Sequence, residues 1–411
     1  MSDKIILSNI KKPEIHYCLK CVYPNNSAVT LSFDENFICS GCSVSKEKNK
    51  INYSERKKLL LDLFKKYENK GNQLYDCIIP VSGGKDSFFQ AHIIKELGYN
   101  ALLVTYNANN YSDTGLKNVQ KMREAFGFDH IFFTPAVKTL KKLNRLGMLV
   151  MGDMNWHAHL GIFTYPIKVA VEKNIPLIIW GEHGRSDLGG MFSYDDFIEF
   201  SFRHRVEHDG RGYDWYHMLE IANKFGEKLS KKEMDPWIYP SDDEIDRVGV
   251  RGIYIANYIY WEANEHIKLI KKKYGFLESS EPFERTYRKA SNLDDIHENG
   301  IHDYLKFVKF GYGRASDHGS KDIRAKKITR MQAIKEVKKR DYIKSKDLKR
   351  WLKYVGWTEK KFDAVSDTFR DQRTWWIKNG KWMKNNIWGK PSSYGKVYLP
   401  KDQWSKFYIE K

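Results

Sequence analysis

The residues best suited to chemistry lie in one short stretch, Val81-Ser82-Gly83-Gly84-Lys85-Asp86-Ser87. The apolar run before it, at 75–80, predicts a buried strand, and residues 88–97 predict a helix that ends at Gly98. Glycines between a strand and a helix let the backbone approach an anion closely, where the helix N-terminus presents free N–H groups. The hydroxyl groups and the lysine add donors and a positive charge. The stretch therefore predicts a phosphate-binding loop, with a plain glycine-rich turn as the alternative.

The spacing of this loop differs from that of a Walker A motif, which needs a four-residue spacer before Gly-Lys-Ser/Thr. The loop resembles instead the SGGxDS pyrophosphate loop of the PP-loop ATPases. Those enzymes cleave ATP between the α and β phosphates and adenylate a carbonyl-type oxygen. The resemblance implies that ATP and Mg²⁺ bind here and that Lys85 and Asp86 are catalytic, with Asp86 helping to place the metal ion.

Four of the five cysteines lie near the N-terminus in the pattern C-x2-C-x17-C-x2-C. In a reducing compartment this spacing favours a structural zinc site with four thiolates over disulfides, and a catalytic or redox role is the alternative. Residues 28–33 and 36–38 predict a small β ribbon around Asp34-Glu35, which zinc would stabilise in place of a core. Cys77 lies in the apolar strand and is interpreted as a core residue. The predicted zinc ligands are Cys18, Cys21, Cys39 and Cys42.

Strands and helices alternate after the loop. Apolar strands at 101–106, 130–133 and 175–180, separated by helices, predict an α/β fold with a doubly wound parallel sheet of the PP-loop (adenine nucleotide alpha hydrolase-like) type. Ligands bind at the carboxyl ends of such strands. The expected ATP contacts are Val81, Ser82, Gly83, Gly84, Lys85, Asp86, Ser87, Thr105, Asn107 and Gly181.

The polar, glycine-rich segment 181–190 directly follows the last of these strands. Its functional interpretation puts Glu182 in a catalytic role, with His183 and Asp187 beside the ATP phosphates or the acceptor. A carboxylate in this segment could hold Mg²⁺, which takes few protein ligands. A capping turn, a solvated loop or the start of the next helix are the alternatives.

The remaining chain suggests three domains: a zinc ribbon at 1–50, a nucleotide domain at 51–240 with an insertion at about 194–240, and a helical, basic region at 241–411. Within the last region, residues 311–324 read as two glycine-rich turns. Arg314, Asp317 and Arg324 are candidate substrate residues there, because two guanidinium groups can bind phosphate or carboxylate. A solvated connection between helices is the alternative.

The net charge of +18 is concentrated, with 14 lysines and arginines against 4 acidic residues between Lys321 and Lys353. Nucleic acid, an acidic substrate and an acidic protein surface are possible partners, and a solvated helical face is the alternative. No run approaches the roughly 20 apolar residues of a membrane span, and residues 1–7 do not have the layout of charged, apolar and small-residue regions that a signal peptide has. We expect a cytoplasmic protein.

From Cys18 to about Ala333, the chain resembles the N-acetyl sugar amidotransferases of bacterial surface-glycan biosynthesis. The resemblance implies that ATP adenylates the acetamido oxygen of a sugar, expected to be nucleotide-linked, and that ammonia replaces it to give an acetamidino sugar. The pathway implied is lipopolysaccharide O-antigen or related glycan biosynthesis. The matching parts are the cysteine pairs, Pro24, Phe33-Asp34-Glu35-Asn36, the loop 82–87, Gly181-Glu182-His183, Gly189-Gly190-Met191-Phe192 and Gly313-Arg314 to Arg324.

Ammonia is protonated at neutral pH, so a partner must deliver it in a shielded form. The chain has no visible glutaminase, since Met1-Ser2 offers no N-terminal cysteine and none follows Cys77. The resemblance implies a separate glutaminase subunit and a barrel-type, ammonia-conducting partner. The basic stretch at 321–353 is a candidate docking or sugar-phosphate surface.

Two other functions are compatible with the sequence. A tRNA-modifying PP-loop enzyme, such as a thiolase, would use the ribbon, the positive charge and the aromatic, lysine-rich tail at 375–384. Thiolation normally needs a sulfur-carrying cysteine near the loop. The nearest one, Cys77, is interpreted as a core residue, so nucleic acid is not the expected partner. A nucleotide-sensing adaptor would leave the segments at 181–190 and 311–324 without a role.

Overall fold

The computed structural model describes residues 10–68, 70–71, 74–290 and 296–410, and the first nine residues of the expected ribbon domain lie outside this range. The larger sheet has the strand order β3-β2-β1-β4-β6-β5. Neighbouring strands are parallel except β5 and β6, which are antiparallel. The strands are β1 Cys77–Pro80, β2 Ala101–Tyr106, β3 His130–Phe133, β4 Leu177–Trp180, β5 Glu199–Phe200 and β6 Arg251–Tyr254.

Helices cover both faces of this sheet, which confirms the expected doubly wound α/β architecture. Cys77 and Ile79 point to the face covered by α2, α3, α4 and α10, whereas Ile78 points to α6 on the other face. Because successive side chains of a strand alternate between faces, a continuous apolar run is buried on both sides. The helices up to β6 are α1 Ser40–Val44, α2 Tyr53–Tyr67, α3 Lys85–Glu96, α4 Asp113–Phe126, α5 Val137–Met151, α6 Trp156–Lys173, α7 Gly184–Gly189, α8 Trp215–Lys224 and α9 Asp242–Val248.

The sheet continues beyond residue 240, where the sequence predicted a change to a helical region. Strand β6 pairs with β4 in the register Leu177–Arg251 to Trp180–Tyr254. Its four residues begin with an arginine and a glycine, so their pattern resembles a loop as much as a strand. Hydrogen bonding of β6 to β4 on one side and to β5 on the other supplies the order that local propensity does not.

The insertion at 194–240 contains β5, a π-helix at His204–Asp209, α8 and a 3₁₀-helix at Lys232–Trp237. It packs on the N-terminal half of α6. Trp237 Nε1 donates to His157 O (2.8 Å), and Trp156 Nε1 donates to Tyr213 O (3.0 Å). The insertion is therefore an ordered cover over one face of the sheet.

The C-terminal part is helical up to residue 367 and ends in a second, small sheet with the order β10-β7-β8-β9. The alternative function of tRNA modification would use the aromatic residues of the tail, but Trp375, Trp376 and Trp382 have no exposed surface. None of the helices in the described ranges has the length and apolar character that a membrane span requires. The elements are α10 Ala263–Tyr274, α11 Glu298–Phe310, α12 Arg314–Arg324, α13 Arg330–Arg340, α14 Leu348–Val355, α15 Glu359–Asp367, β7 Trp376–Lys378, β8 Lys381–Lys384, β9 Ser392–Lys396 and β10 Ile409–Glu410.

Residues 16–50, here named the cysteine module, form tight turns with little regular structure. In place of the two expected ribbon strands there is one isolated bridge, Phe33 to Cys39, and a second bridge, Tyr17 to Pro24, precedes them. The expected turn is present, because Asp34 Oδ1 accepts from two following backbone N–H groups, at 3.0 and 2.8 Å. The module then enters α1 and a 3₁₀-turn at Glu47–Asn49.

Candidate active site

The predicted phosphate loop connects β1 to α3 at the carboxyl edge of the larger sheet. Gly84 is the N-cap residue of α3, so the N-terminus of the helix faces the loop. Ser82 N donates to Ser87 Oγ (2.9 Å), and Gly84 N donates to Ser82 Oγ (3.3 Å). Gly83 has a φ of +82°, and a Cβ atom there would lie 2.6 Å from Val119 Cγ2. Both the backbone conformation and the close approach therefore require glycine at residue 83.

Lys85 and Asp86 form an ion pair in the first turn of α3. Lys85 Nζ lies 2.6 Å from Asp86 Oδ1, and Lys85 is only 1% exposed. His266 of α10 stacks on Phe89 beside them, and burial together with the Lys85 charge lowers the pKa of His266 to about 3. A lysine on a flexible stem can turn its ammonium group from a carboxylate to an entering phosphate. The arrangement is compatible with the predicted roles, which stay predictions.

The strand ends expected to contact adenosine have local structural roles. Thr105 Oγ1 lies 2.8 Å from Val81 O, to which it donates, and 2.8 Å from His130 Nε2. Asn107 donates to Thr134 Oγ1 (2.7 Å), and Gly181 O accepts from Ala256 N (3.1 Å). Thr105 thus braces the phosphate loop from the neighbouring strand. Its direct contact with ATP, like those of Asn107 and Gly181, stays a prediction.

Four charged side chains from distant parts of the chain meet beside the segment after β4. We call them the acid–lysine cluster: Glu182, Asp187, Lys48 of the cysteine module and Lys321 of α12. Lys48 Nζ lies 3.0 Å from Asp187 Oδ1 and 3.9 Å from Glu182 Oε1. Lys321 Nζ lies 3.0 Å from Glu182 Oε2 and also contacts Asp187. The sequence predicted the two acids, whereas neither lysine stands out from its lysine-rich surroundings.

The surroundings of this cluster give one of its two carboxyl groups a pKa close to neutral pH. Burial, the neighbouring Asp187 carboxylate and, to a smaller extent, Asp86 raise the pKa of Glu182 to about 7, although Lys321 and Lys48 act in the opposite direction. Burial alone would raise the pKa of Asp187 as well, but Lys321 and Lys48 outweigh it and hold that pKa well below its usual range. Two close carboxylates with separated pKa values are typical of sites that hold and move a proton.

A cavity of about 160 Å³ opens at the acid–lysine cluster. The cysteine module forms one wall of this cavity with Ser45 and Asn49, and Tyr260 and Trp261 form another. The phosphate loop follows β1 and the acid–lysine cluster follows β4, and these two strands are parallel neighbours, so the loop and the cavity lie at adjacent strand ends. Polar and aromatic walls beside a phosphate loop suit a polar acceptor substrate.

His183, a candidate substrate residue, is the N-cap of α7. Its Nδ1 accepts from Ser186 N (3.3 Å), and its Nε2 faces His204 Nε2 at 3.1 Å. Burial and the neighbouring His204 lower the pKa of His183 to about 3. The segment 181–190 therefore does start a helix, one of the alternatives stated above, and both nitrogens of His183 are engaged within the protein.

Arg314 and Asp317 lie in a helix, whereas two glycine-rich turns were expected. Arg314 Nε and Nη2 lie 3.0 and 2.6 Å from Asp303 Oδ1, and Arg314 Nη1 lies 3.2 Å from Asp317 Oδ2. Asp317 also accepts from Tyr23 OH (2.9 Å) and pairs with Lys306, and it is 1% exposed. The structure does not bring these two residues to the cavity but places them in a buried ion-pair network.

Arg324 joins the cysteine module to the segment after β4. Its Nη1 donates to Asp187 O and Leu188 O, both at 2.9 Å, and its Nη2 lies 3.6 Å from Cys39 Sγ. It also lines the cavity. This side chain therefore positions the loop that carries Glu182 and Asp187, and its predicted contact with substrate is not tested.

The four cysteines of the module fit a zinc ion. Their Sγ atoms lie within 4.8 Å of one another, all four residues have no exposed surface, and Cys21 Sγ is 3.6 Å from Cys39 Sγ. Tetrahedral zinc with Zn–S bonds of about 2.3 Å requires sulfur atoms roughly 3.8 Å apart. Backbone N–H groups of Lys20, Cys21 and Cys39 approach Cys18 Sγ at 3.3–3.4 Å, which favours a thiolate.

A second group of possible metal ligands is paired with an arginine side chain. Asp153, His159 and His302 offer atoms within 4.8 Å of one another. Arg211 Nη1 lies 2.7 Å from Asp153 Oδ2, and its Nη2 lies 3.1 Å from His159 Nε2. The guanidinium group thus supplies the positive charge that Asp153 needs.

Part of the chain matches a known protein family. Residues 272–387 match the model of the C-terminal domain of the WbpG-like lipopolysaccharide (LPS) biosynthesis proteins. The expected relation to surface-glycan biosynthesis is thereby confirmed for this part of the chain. A comparison with curated protein sequences finds no match.

Three solved structures resemble part of the fold at low sequence identity. The NH3-dependent NAD synthetase from Campylobacter jejuni is 11% identical, with 48% of this chain and 92% of that chain covered and a TM-score of 0.28. The NMN synthetase from Francisella tularensis is 15% identical, with 53% and 92% covered and a TM-score of 0.28. A predicted subunit of a tRNA methyltransferase from Methanocaldococcus jannaschii is 20% identical, with 41% and 93% covered and a TM-score of 0.21. The fold assignment rests on the strand order and the loop position described above.

Proposed function

We propose that this chain, whose residues 272–387 match the WbpG-like domain of LPS biosynthesis, is an ATP-dependent sugar amidotransferase. It would convert the acetamido group of an N-acetyl sugar, expected to be nucleotide-linked, into an acetamidino group. The observation that carries the proposal is the phosphate loop at the end of β1, because β4, the strand that leads to the acid–lysine cluster and its polar cavity, is the parallel neighbour of β1. The family match supports glycan biosynthesis, and the loop supports the use of ATP.

The first step of the proposed reaction forms an adenylate. The acetamido oxygen attacks the α-phosphorus of ATP, the bond to the β-phosphate breaks, and pyrophosphate leaves. The N–H groups at the start of α3, the hydroxyls of Ser82 and Ser87, and the Lys85 ammonium group would stabilise the charge that develops on the leaving pyrophosphate. Asp86 would hold Mg²⁺, whose contribution is to neutralise phosphate charge.

The second step replaces oxygen by nitrogen. Ammonia attacks the activated carbon, a proton leaves the nitrogen, and AMP departs with the former acetamido oxygen. Glu182 lies in the cavity wall and its pKa is raised to about 7, so its carboxylate can accept that proton. We propose that a separate glutaminase and a barrel-type partner deliver the ammonia, since free ammonium is a poor nucleophile.

Isotope transfer tests both steps. The protein is incubated with ATP, Mg²⁺, ammonium at raised pH and candidate acetamido sugars whose acetyl oxygen carries ¹⁸O. The proposal predicts sugar-dependent release of pyrophosphate, ¹⁸O in AMP and an amidine product. Pyrophosphate release that needs tRNA instead of a sugar would contradict it and support the tRNA-modifying alternative, which the buried tryptophans of the tail do not favour.

A matched pair of variants tests the loop. Lys85→Ala should lower the rate of pyrophosphate release by about 10²-fold or more, because one preorganised charge at the reacting phosphates is lost. Lys95→Ala removes an exposed lysine from the far end of the same helix and should behave as the wild type. Full activity of Lys85→Ala would refute the assignment of the loop.

A further inference from the structure

The cysteine module is docked directly on the segment that carries the two acids of the site. Ser40 Oγ donates to Gly189 O (2.6 Å), and a Cβ atom on Gly190 would lie 2.4 Å from Ser40 O. Arg330 of α13 holds the other side of the module by donating to Cys21 O (3.0 Å) and Cys18 O (3.1 Å). The module is thus fixed between the segment after β4 and the C-terminal helices.

The turn that carries Lys48 is anchored as firmly as the rest of the module. Glu47 Oε2 accepts from Ser193 Oγ (2.8 Å) and from Tyr194 N (3.0 Å). Lys48 then extends toward the cavity, with its Nζ 5.2 Å from the centre of the Tyr194 ring and 3.0 Å from Asp187 Oδ1. Its side chain is 16% exposed, so the ammonium group is largely withdrawn from bulk water.

We propose that Lys48 is a catalytic residue of the adenylation step and that the cysteine module serves to deliver it. Lys48 and Lys321 balance Glu182 and Asp187. Because the lysine stem is flexible and Lys48 lines the cavity, its ammonium group would turn from these acids to a phosphate oxygen of an entering nucleotide. There it would add to the positive charge that Lys85 supplies. This inference rests on the proposed function.

Lys48 connects the predicted zinc site to the reaction, because it extends into the cavity from the same cysteine module. Helix α1 starts directly after Cys39, contains Cys42 and leads to the turn with Lys48 within six residues of that cysteine. The thiolates that could bind zinc therefore set the position of Lys48, although no cysteine lies in the cavity wall. The metal site would then support turnover from outside the reaction centre.

The test compares Lys48→Ala and Lys48→Arg with Lys50→Ala, which removes an exposed lysine of the same module. We expect Lys48→Ala to lower the rate of pyrophosphate release at saturating substrates by about 10²-fold. The affinity for ATP, measured by calorimetry, should change by less than about threefold, because the loop contacts remain. Lys48→Arg should recover part of the rate, and Lys50→Ala should match the wild type.

Three further measurements separate this role from a structural one. Bound zinc should stay at about one ion per chain in Lys48→Ala, and its melting temperature should stay close to the wild-type value. Wild-type turnover of Lys48→Ala, or a loss of ATP affinity equal to the loss of rate, overturns the inference. If Lys48→Ala does not fold, Lys48→Gln, which keeps most of the stem, is judged by the same criteria.

The same assay shows which proposal fails. If Lys85→Ala is inactive while Lys48→Ala has the wild-type rate, only the role of Lys48 is refuted. If Lys85→Ala is as active as the wild type, the proposed function itself fails.

Discussion

The buried network around Asp303 offers a sharp test of where Arg314 acts. Asp303 is 1% exposed and accepts from Arg285 Nε at 2.6 Å on one oxygen and from Arg314 Nε and Nη2 at 3.0 and 2.6 Å on the other. The substitution Asp303→Asn keeps the shape of the side chain. Its amide must point an NH₂ group at one of the two guanidinium groups, which are themselves donors.

The expected cost follows from these contacts. Three charge-assisted hydrogen bonds at about 1.5–3 kcal/mol each would add to about 4.5–9 kcal/mol if they were independent. They share one carboxylate whose desolvation opposes them, so the loss should be about 3–5 kcal/mol, as for breaking other buried ion pairs. This is a large part of the stability of a typical domain.

Urea unfolding at pH 7, followed by tryptophan fluorescence, measures this loss. Asp246→Asn, at an exposed position of α9, serves as the control and should stay within about 0.5 kcal/mol of the wild type. Arg314→Met should also destabilise the protein and leave the KM for the acceptor unchanged in the folded fraction. A stable Asp303→Asn protein, or an Arg314→Met protein with normal stability and an acceptor KM raised about tenfold, would refute the structural role.

Three other predictions follow from single features. Gly83→Ala should weaken ATP binding by about tenfold or more in calorimetry. The control is Gly98→Ala, which should bind ATP normally, because Gly98 has a similar φ of +84° but nothing within 4 Å of the added Cβ atom. Equal effects of the two substitutions would contradict the close approach at the loop. Burial would raise the pKa of Asp303, but Arg314 and Arg285 outweigh burial and lower this pKa to about 2. The ionised carboxylate therefore contributes roughly 2 kcal/mol of stability above pH 4, and this contribution is lost as the pH falls toward 2. A pH series of urea midpoints for Asp303→Asn should lack that loss. Cys39→Ser should abolish stoichiometric zinc binding and lower the melting temperature, and a metal-free protein that melts like the wild type would exclude the zinc site.

Much of the fold could be predicted because its determinants are local. The strands at 101–106 and 130–133 have the predicted bounds, since each is an apolar run. The helix between them has local end signals as well, because Ser112 caps its start and Gly127 follows its last residue. Where two polar residues lie near a helix start, a local pattern decides less well: at α2, Ser54 does not act as the cap, and Asn52 Oδ1 accepts from Ser54 N and Glu55 N.

The roles of charged and aromatic residues were harder to predict, because they depend on what packs against them. Arg314 and Asp317 were interpreted as ligand contacts, yet Asp303 and Lys306 of the preceding helix pair with them. The tryptophans of the tail resembled a surface for RNA, yet Trp375 and Trp382 pack with Phe407 in a small core beside the paired strands β7 and β8. A residue type indicates that a partner is needed but not which partner.

The sequence by itself determined the chemistry on offer: a phosphate loop between a strand and a helix, four thiolates at zinc spacing, and two acids at a strand end. Each of these is encoded within a few residues. Only the tertiary structure decided that Lys48 and Lys321 meet Glu182 and Asp187 in one cavity. The reason is physical, since more than 130 residues separate each lysine from those acids, and buried charges select their partners through the packing of whole elements.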